Sequence, residues 1–184
     1  MTDFRSFRAS AVVLRHADWG EADRVLTLYT REQGIVRALA KGARKVTSRK
    51  AGHLQPFTHI TIQLAKGRDL LIVTQVETIN AFLPLHDDLN KTSYAAYVVE
   101  LLLRFSVEDE GGNPSIFKLL TDTLERIEKD SDSWLAIRYY EMRLLDAVGF
   151  RPHLFECANC SREILPEDQF FFIYSRWSDL SALW

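Results

Sequence analysis

Two groups of residues in this chain have the types and spacing to do chemistry. The first is cationic. Between Glu32 and Asp69 there is no acidic residue, and the interval holds eight Lys or Arg. Six of them, Arg37, Lys41, Arg44, Lys45, Arg49 and Lys50, fall within fourteen positions. The whole chain carries formal charge −2, so the excess is local. Clustered Lys and Arg neutralise phosphates and release their counterions, which gives affinity for a polyanion before any base is read. The second group is Cys157 and Cys160, a CxxC pair. In a reducing compartment such a pair is half of a metal site or a redox dithiol. Structural zinc takes four N or S donors, so the pair is a half-site, to which His153 could add one more ligand.

No arrangement of nucleophile and base is visible. The chain has no GxSxG, no phosphate-cradling GxxxxGK[ST], no GxGxxG and no HExxH. Asp87-Asp88 and Glu108-Asp109-Glu110 read as solvated charge, and His16, His53, His59 and His86 as surface or satisfied core residues. A thioredoxin-type CxxC sits at a strand-to-helix junction, whereas Cys157 follows a helical region and a proline. A thiol or zinc enzyme is therefore the weakest reading, and a binding protein that is not an enzyme the strongest.

The first 80 residues, which must position the cations, read as strands. Ser10–Arg15, Val25–Thr30, Ile35–Leu39, His59–Leu64 and Leu70–Ile79 are short runs rich in β-branched residues or alternating in polarity. Five strands with one long basic connection suggest a small OB-type barrel, with an SH3-like barrel as the alternative. After Pro84 the period becomes helical: one helix through Phe105, a second opened by Pro114, and a third capped by Ser131 or Ser133 and stopped at Gly149. Nearly all their aromatics are expected in a core shared by the helices and the barrel. The class is α+β, divided as a barrel over 1–80, a helical domain over 81–152, and a partial zinc-ribbon segment with an aberrant tail over 153–184.

Charge follows the same division. Residues 1–80 hold 13 Lys/Arg against 7 Asp/Glu, and residues 81–184 hold 10 against 18. That asymmetry fits two modules with different partners. The hydrophobic fraction of 47% is that of an ordinary globular protein, and no apolar run is long enough to span a bilayer. The N-terminal segment lacks a signal-peptide core, so a cytoplasmic location without membrane attachment is expected.

Several spaced motifs carry a resemblance. Trp19-Gly20-Glu21-Ala22-Asp23-Arg24-Val25-Leu26-Thr27-Leu28 is followed by Thr30 and Gly34. Next come Ala40-Lys41-Gly42-Ala43-Arg44-Lys45, Ser48-Arg49-Lys50, and Leu54 with Pro56-Phe57. In this order they resemble the RecO family of bacterial recombination mediators. The likeness continues through Tyr97, Glu100, Leu101, Leu144, Leu145, Gly149, Phe150, Pro152 and Cys157 to Cys160, covering about residues 8–160.

The resemblance implies a non-enzymatic DNA repair and recombination protein with an N-terminal OB-fold. Such a protein binds single- and double-stranded DNA and anneals complementary strands. With RecR it helps RecA replace single-stranded-DNA-binding protein. The residue chemistry agrees, with Arg37, Lys41, Arg44, Lys45, Arg49 and Lys50 as the candidate DNA-binding residues that would supply phosphate contacts without sequence choice. Gly42 would let the loop come close to a strand. Phe57 or Trp19 would either stack on bases or fill the core, the core being favoured for both. Another OB-fold binder, acting on RNA, is the nearest alternative. The family pattern also includes a Gly-Gly pair and a second CxxC that complete a zinc ribbon, and here both are missing. An ordinary codon choice for Ile173–Trp184, read one base later, encodes Ser-Thr-Ala-Gly-Gly-Val-Ile-Cys-Pro-His-Cys. The tail is thus expected to be the out-of-frame end of a truncated family member, with zinc at most weakly held.

Overall fold

The computed structural model describes residues 6–106, 111–129, 133–151, 155–156, 161–163 and 165. Five strands come first: β1 (Ser6–Trp19), β2 (Asp23–Thr30), β3 (Gly34–Ala40), β4 (His59–Ala65) and β5 (Leu71–Asn80). Four helices follow: α1 (Pro84–Asp87), α2 (Leu89–Phe105), α3 (Pro114–Lys129) and α4 (Ser133–Ala147). The fold is α+β, as the change of period implies.

Strand pairing runs β1-β2-β3-β5-β4 and returns to β1, closing the sheet into a barrel whose order is consistent with the OB type. All pairs are antiparallel except β3 with β5, which meet only at Ala38↔Leu71 and Leu39↔Ile72. β1 is more than twice as long as its β-rich run suggests, because it serves two partners. Ser6–Val12 pair with β4, and Ala11–Trp19 pair with β2. Its polar ends are held by ladder hydrogen bonds rather than by apolar pattern, so periodicity does not reveal them. A bulge between Val13 and Arg15 turns the strand from one partner to the other.

Alternation sorts the side chains. Val13, Leu26, Leu28, Ile60, Ile62 and Leu64 fill the barrel, with Ala9, Ala11, Ala38 and Ala40 beside them. Each fully buried large aliphatic contributes roughly 1.5–3 kcal/mol of transfer free energy. Facing the other way, Val12, Leu14, Tyr29 and Ile35 join the core of the helices, where Leu102, Leu120, Leu124, Ile127 and Tyr140 are fully buried. Tyr29 stacks on Phe117 at 6.4 Å between centroids, and the edge contact of His59 with Phe117 lies at 5.5 Å. Helices thus cover one end of the outer face of β1, β2 and β3.

The expected first helix is broken at Asp88. Its backbone is extended, and its carboxylate accepts from the N–H groups of Asn90 and Lys91, capping α2. Asp88 is therefore a cap rather than idle charge. The expectation of buried aromatics also fails in part. Trp134 is 58% exposed, and Tyr97, Phe105 and Tyr139 are exposed as well. Two of these rings gain a cation instead of a core: Arg138 lies over Trp134 at 5.2 Å, and Arg126 over Tyr139 at 4.6 Å.

The loop ahead of α3 meets the β2–β3 turn without side chains between them. Gly112 donates its N–H to the Glu32 carbonyl at 2.9 Å. A Cβ on Gly112 would stand 2.3 Å from the Glu32 carbonyl carbon. A Cβ on Gly34, whose φ is +66°, would stand 2.4 Å from the Gly111 oxygen. Backbone touches backbone here, which only glycine allows.

Candidate nucleic-acid interface

Residues 41–58 connect β3 to β4 and carry most of the basic cluster. This long connection is not a loose strap. Ala43 and Leu54 insert into the barrel core and are 1% and 0% exposed. The Gly42 N–H donates to Asp23 Oδ1 at 2.8 Å, and the Arg44 N–H donates to the Ala22 carbonyl at 2.9 Å. A single 3₁₀ turn, Ala51–His53, is tied to β5 where His53 Nδ1 meets Thr78 Oγ1 at 2.7 Å. Gly42 has φ +68°, so it supplies a left-handed turn in the loop.

The six candidate cations divide by environment. Arg44 is committed to the β1–β2 turn: Nε pairs with Asp18 Oδ2 at 3.2 Å, and Nη1 donates to the Gly20 carbonyl at 3.0 Å. The same Asp18 carboxylate holds Arg24 at 3.4 Å. Lys50 donates its Nζ to the Val73 carbonyl at 2.9 Å, fastening the loop to β5. Arg37, Lys41, Lys45 and Arg49 are exposed, and among the described residues none of them forms an ion pair or side-chain hydrogen bond. Two cations build the loop, three are presented by it, and Arg37 is presented by β3.

Register adds a cation the sequence reading missed. Arg15 on β1 lies opposite Thr27 on β2, which lies opposite Arg37 on β3. Opposed residues share a face, so Arg15 and Arg37 flank Thr27 on the outer surface, and Arg15 Nε donates to the Thr27 hydroxyl at 3.4 Å. Arg15 and Arg37 are exposed, so among the described residues no helix covers this part of the face. Alternation alone could have suggested Arg15, since polar residues begin there after an apolar run. The bulge conceals which way it points.

Phe57 and Trp19, treated alike in the sequence, part company. Phe57 is 7% exposed and adopts φ +68°, its N–H donating to the Val13 carbonyl at 2.6 Å beside the bulge. A left-handed non-glycine residue costs roughly 1–2 kcal/mol, which burial of the ring against the helical core offsets. Trp19 ends β1 and is 59% exposed, so it is not core.

The histidines are satisfied or set into interfaces. His59 Nε2 meets Ser10 Oγ at 2.9 Å, and burial holds its pKa below the usual histidine range. His16 is lowered too, by burial first and then by Arg24. A cleft of about 700 Å³ opens on the helix-covered side, lined by Tyr29, Ile35, Phe105, Ile116 and Phe150 among others. It lies apart from the basic loop. Among the described residues no group of three His, Cys, Asp or Glu could hold a metal. Cys157, Cys160, His153, the Glu108–Glu110 run and the tail lie outside the described residues.

Comparison with known proteins covers nearly the whole chain. Residues 1–82 match the family model described as Recombination protein O N terminal, and residues 86–177 match Recombination protein O C terminal. The chain is 39% identical over 171 residues to a DNA repair protein RecO of Dehalococcoides mccartyi, covering 93% of this chain and 67% of that one. It is 44% identical over 156 residues to the protein of that name from Roseiflexus sp., covering 85% and 54%. With that of Pelotomaculum thermopropionicum it shares 41% over 154 residues, covering 84% and 59%. The chain spans between about half and two thirds of the length of these relatives.

Proposed function

This chain belongs to the RecO family of DNA repair proteins, and from that premise we propose that it binds DNA through the open outer face of its barrel and the basic loop beside it. The observation that carries the reading is the loop itself. Arg44 and Lys50 fasten it while Arg37, Lys41, Lys45 and Arg49 stay exposed. Exposed cations on a backbone held in place bind phosphate without choosing sequence, because every nucleotide carries the same phosphate. The outer face of strands 2 and 3 and the adjoining loops are where OB-type barrels take single strands. Sequence-independent binding suits annealing of complementary strands.

On this reading the protein is a recombination mediator that acts by binding and has no catalytic centre. Single-stranded and double-stranded DNA, RecR and single-stranded-DNA-binding protein are its direct partners, and RecA is served indirectly. A cytoplasmic place of action accompanies this. Among the described residues no helix is long and apolar enough to cross a membrane. Zinc enters only as a half-site at Cys157 and Cys160, the two cysteines of the chain.

Salt titration of DNA binding and of strand annealing tests the proposal. Lys41→Ala with Lys45→Ala should weaken binding alike for all sequences and flatten the dependence of log K on log salt by roughly one unit per lost contact. Arg44→Ala should differ, loosening the loop as well as removing charge. A salt slope unchanged in the double variant would place DNA on another surface.

A further inference from the structure

Trp19 stands where the two strands of the β1–β2 hairpin turn, paired in register with Asp23. Its neighbours on both sides are held by one residue of the basic loop. Arg44 holds the Asp18 carboxylate before it and the Gly20 carbonyl after it, and the Arg44 N–H reaches Ala22 across the turn. Gly20, at φ +57°, supplies the left-handed step that such a tight turn needs. A clamped backbone would ordinarily accompany a buried side chain, yet the indole is 59% exposed. Among the described residues it stacks on no ring and lies under no cation, unlike Trp134 beneath Arg138. An exposed indole on a fixed base keeps a large π-face in water, and little conformational freedom is lost when something covers it.

Direction gives the occupant. After the bulge, Arg15, Ala17 and Trp19 alternate onto one side of β1, the side on which Arg15 and Arg37 flank Thr27. The indole therefore lies at the far end of the open face from the helices, roughly 13 Å beyond Arg15 at strand spacing. Lys41 follows β3 at the same end of the barrel. Cations along a strip and a free ring at its end match a ligand with alternating phosphates and flat bases. A single strand offers its base faces, whereas a duplex has them stacked on one another.

We propose that Trp19 is a base-stacking residue that gives this surface its preference for single-stranded over double-stranded nucleic acid. The proposal rests on the DNA-binding reading above and adds a term that phosphate contact cannot supply. Stacking on an aromatic is worth roughly 1–3 kcal/mol per base and tolerates any sequence. The exposed cations set the salt dependence, and the ring sets the difference between one strand and two.

Equilibrium binding of a single-stranded oligonucleotide and of the matching duplex tests this with wild type, Trp19→Ala and Trp19→Phe at two salt concentrations. Trp19→Ala should bind the single strand about tenfold more weakly with the salt slope unchanged. It should bind the duplex as wild type does, and Trp19→Phe should retain most single-strand affinity. Equal losses for both substrates, or no loss for either, would overturn the stacking role. Thermal unfolding of Trp19→Ala should match wild type, since the ring buries little. If its midpoint fell, the Phe variant would decide: loss of single-strand affinity in a stable Trp19→Phe protein would also count against stacking as the mechanism. Wild type that binds no single strand would overturn the DNA-binding reading, whereas tight wild-type binding with an indifferent Trp19→Ala overturns this inference alone.

Discussion

At the scale of single residues, two buried groups carry measurable consequences. The Tyr140 ring is fully buried in the helical core, and its hydroxyl is the buried side-chain atom without a hydrogen-bond partner among the described residues. Burial drives its pKa far upward, so the hydroxyl stays neutral and unsatisfied. An unpartnered buried hydroxyl costs roughly 1–3 kcal/mol. Tyr140→Phe should therefore raise the thermal midpoint, and calorimetry showing a fall would mean that the hydroxyl is solvated. His59 sets a pH response. Its folded pKa lies below the unfolded value near 6.5, so below that pH the unfolded chain takes up a proton that the folded chain refuses. Stability is complete above the unfolded pKa and declines as pH falls toward the folded one, and His16 adds to the same direction. Melting scans from about pH 7.5 to about pH 5.5 should show a falling midpoint, with a shallower fall in His59→Gln. An identical pH dependence in that variant would remove His59 from the account.

At the scale of elements, composition told more than partnership. The basic loop was legible because charge is counted along the chain. Which of its cations are structural was not, since Arg44 meets Asp18 and Lys50 meets the Val73 carbonyl only through the three-dimensional fold. The same limit separated Trp19 from Phe57: both are aromatics beside turn residues, and only the fold decides which one has a core to enter. Strand and helix identities followed period, whereas the ends of β1 and the break at Asp88 depended on pairing and capping. The Gly111-Gly112 contact belongs to this scale as well. No property of a loop sequence says that another turn's backbone will lie against it. Gly112→Ala forces its Cβ into the backbone of the β2–β3 turn. It should destabilise the protein by about 1–3 kcal/mol, read from denaturant midpoints. An unchanged midpoint would mean that the loop moves aside at no cost.

At the scale of the molecule, the charge division between halves coexists with a shared core. Val12, Leu14, Tyr29 and Ile35 from the strands pack with the helices, so the acidic half covers one end of the face whose other end carries the cations. The narrowest join in the barrel lies between β3 and β5, two residue pairs long. Ala38 and Leu71 can meet only after the chain between them has folded back, and drawing the ends of a loop of roughly thirty residues together carries an entropic penalty that little local contact offsets. The basic loop lies wholly within that stretch. It is fastened on one side to the β1–β2 turn through Arg44 and on the other to β5 through Lys50 and His53, so the position of its cations depends on both. The proposed binding site thus belongs to the closed barrel and to no single segment of the chain.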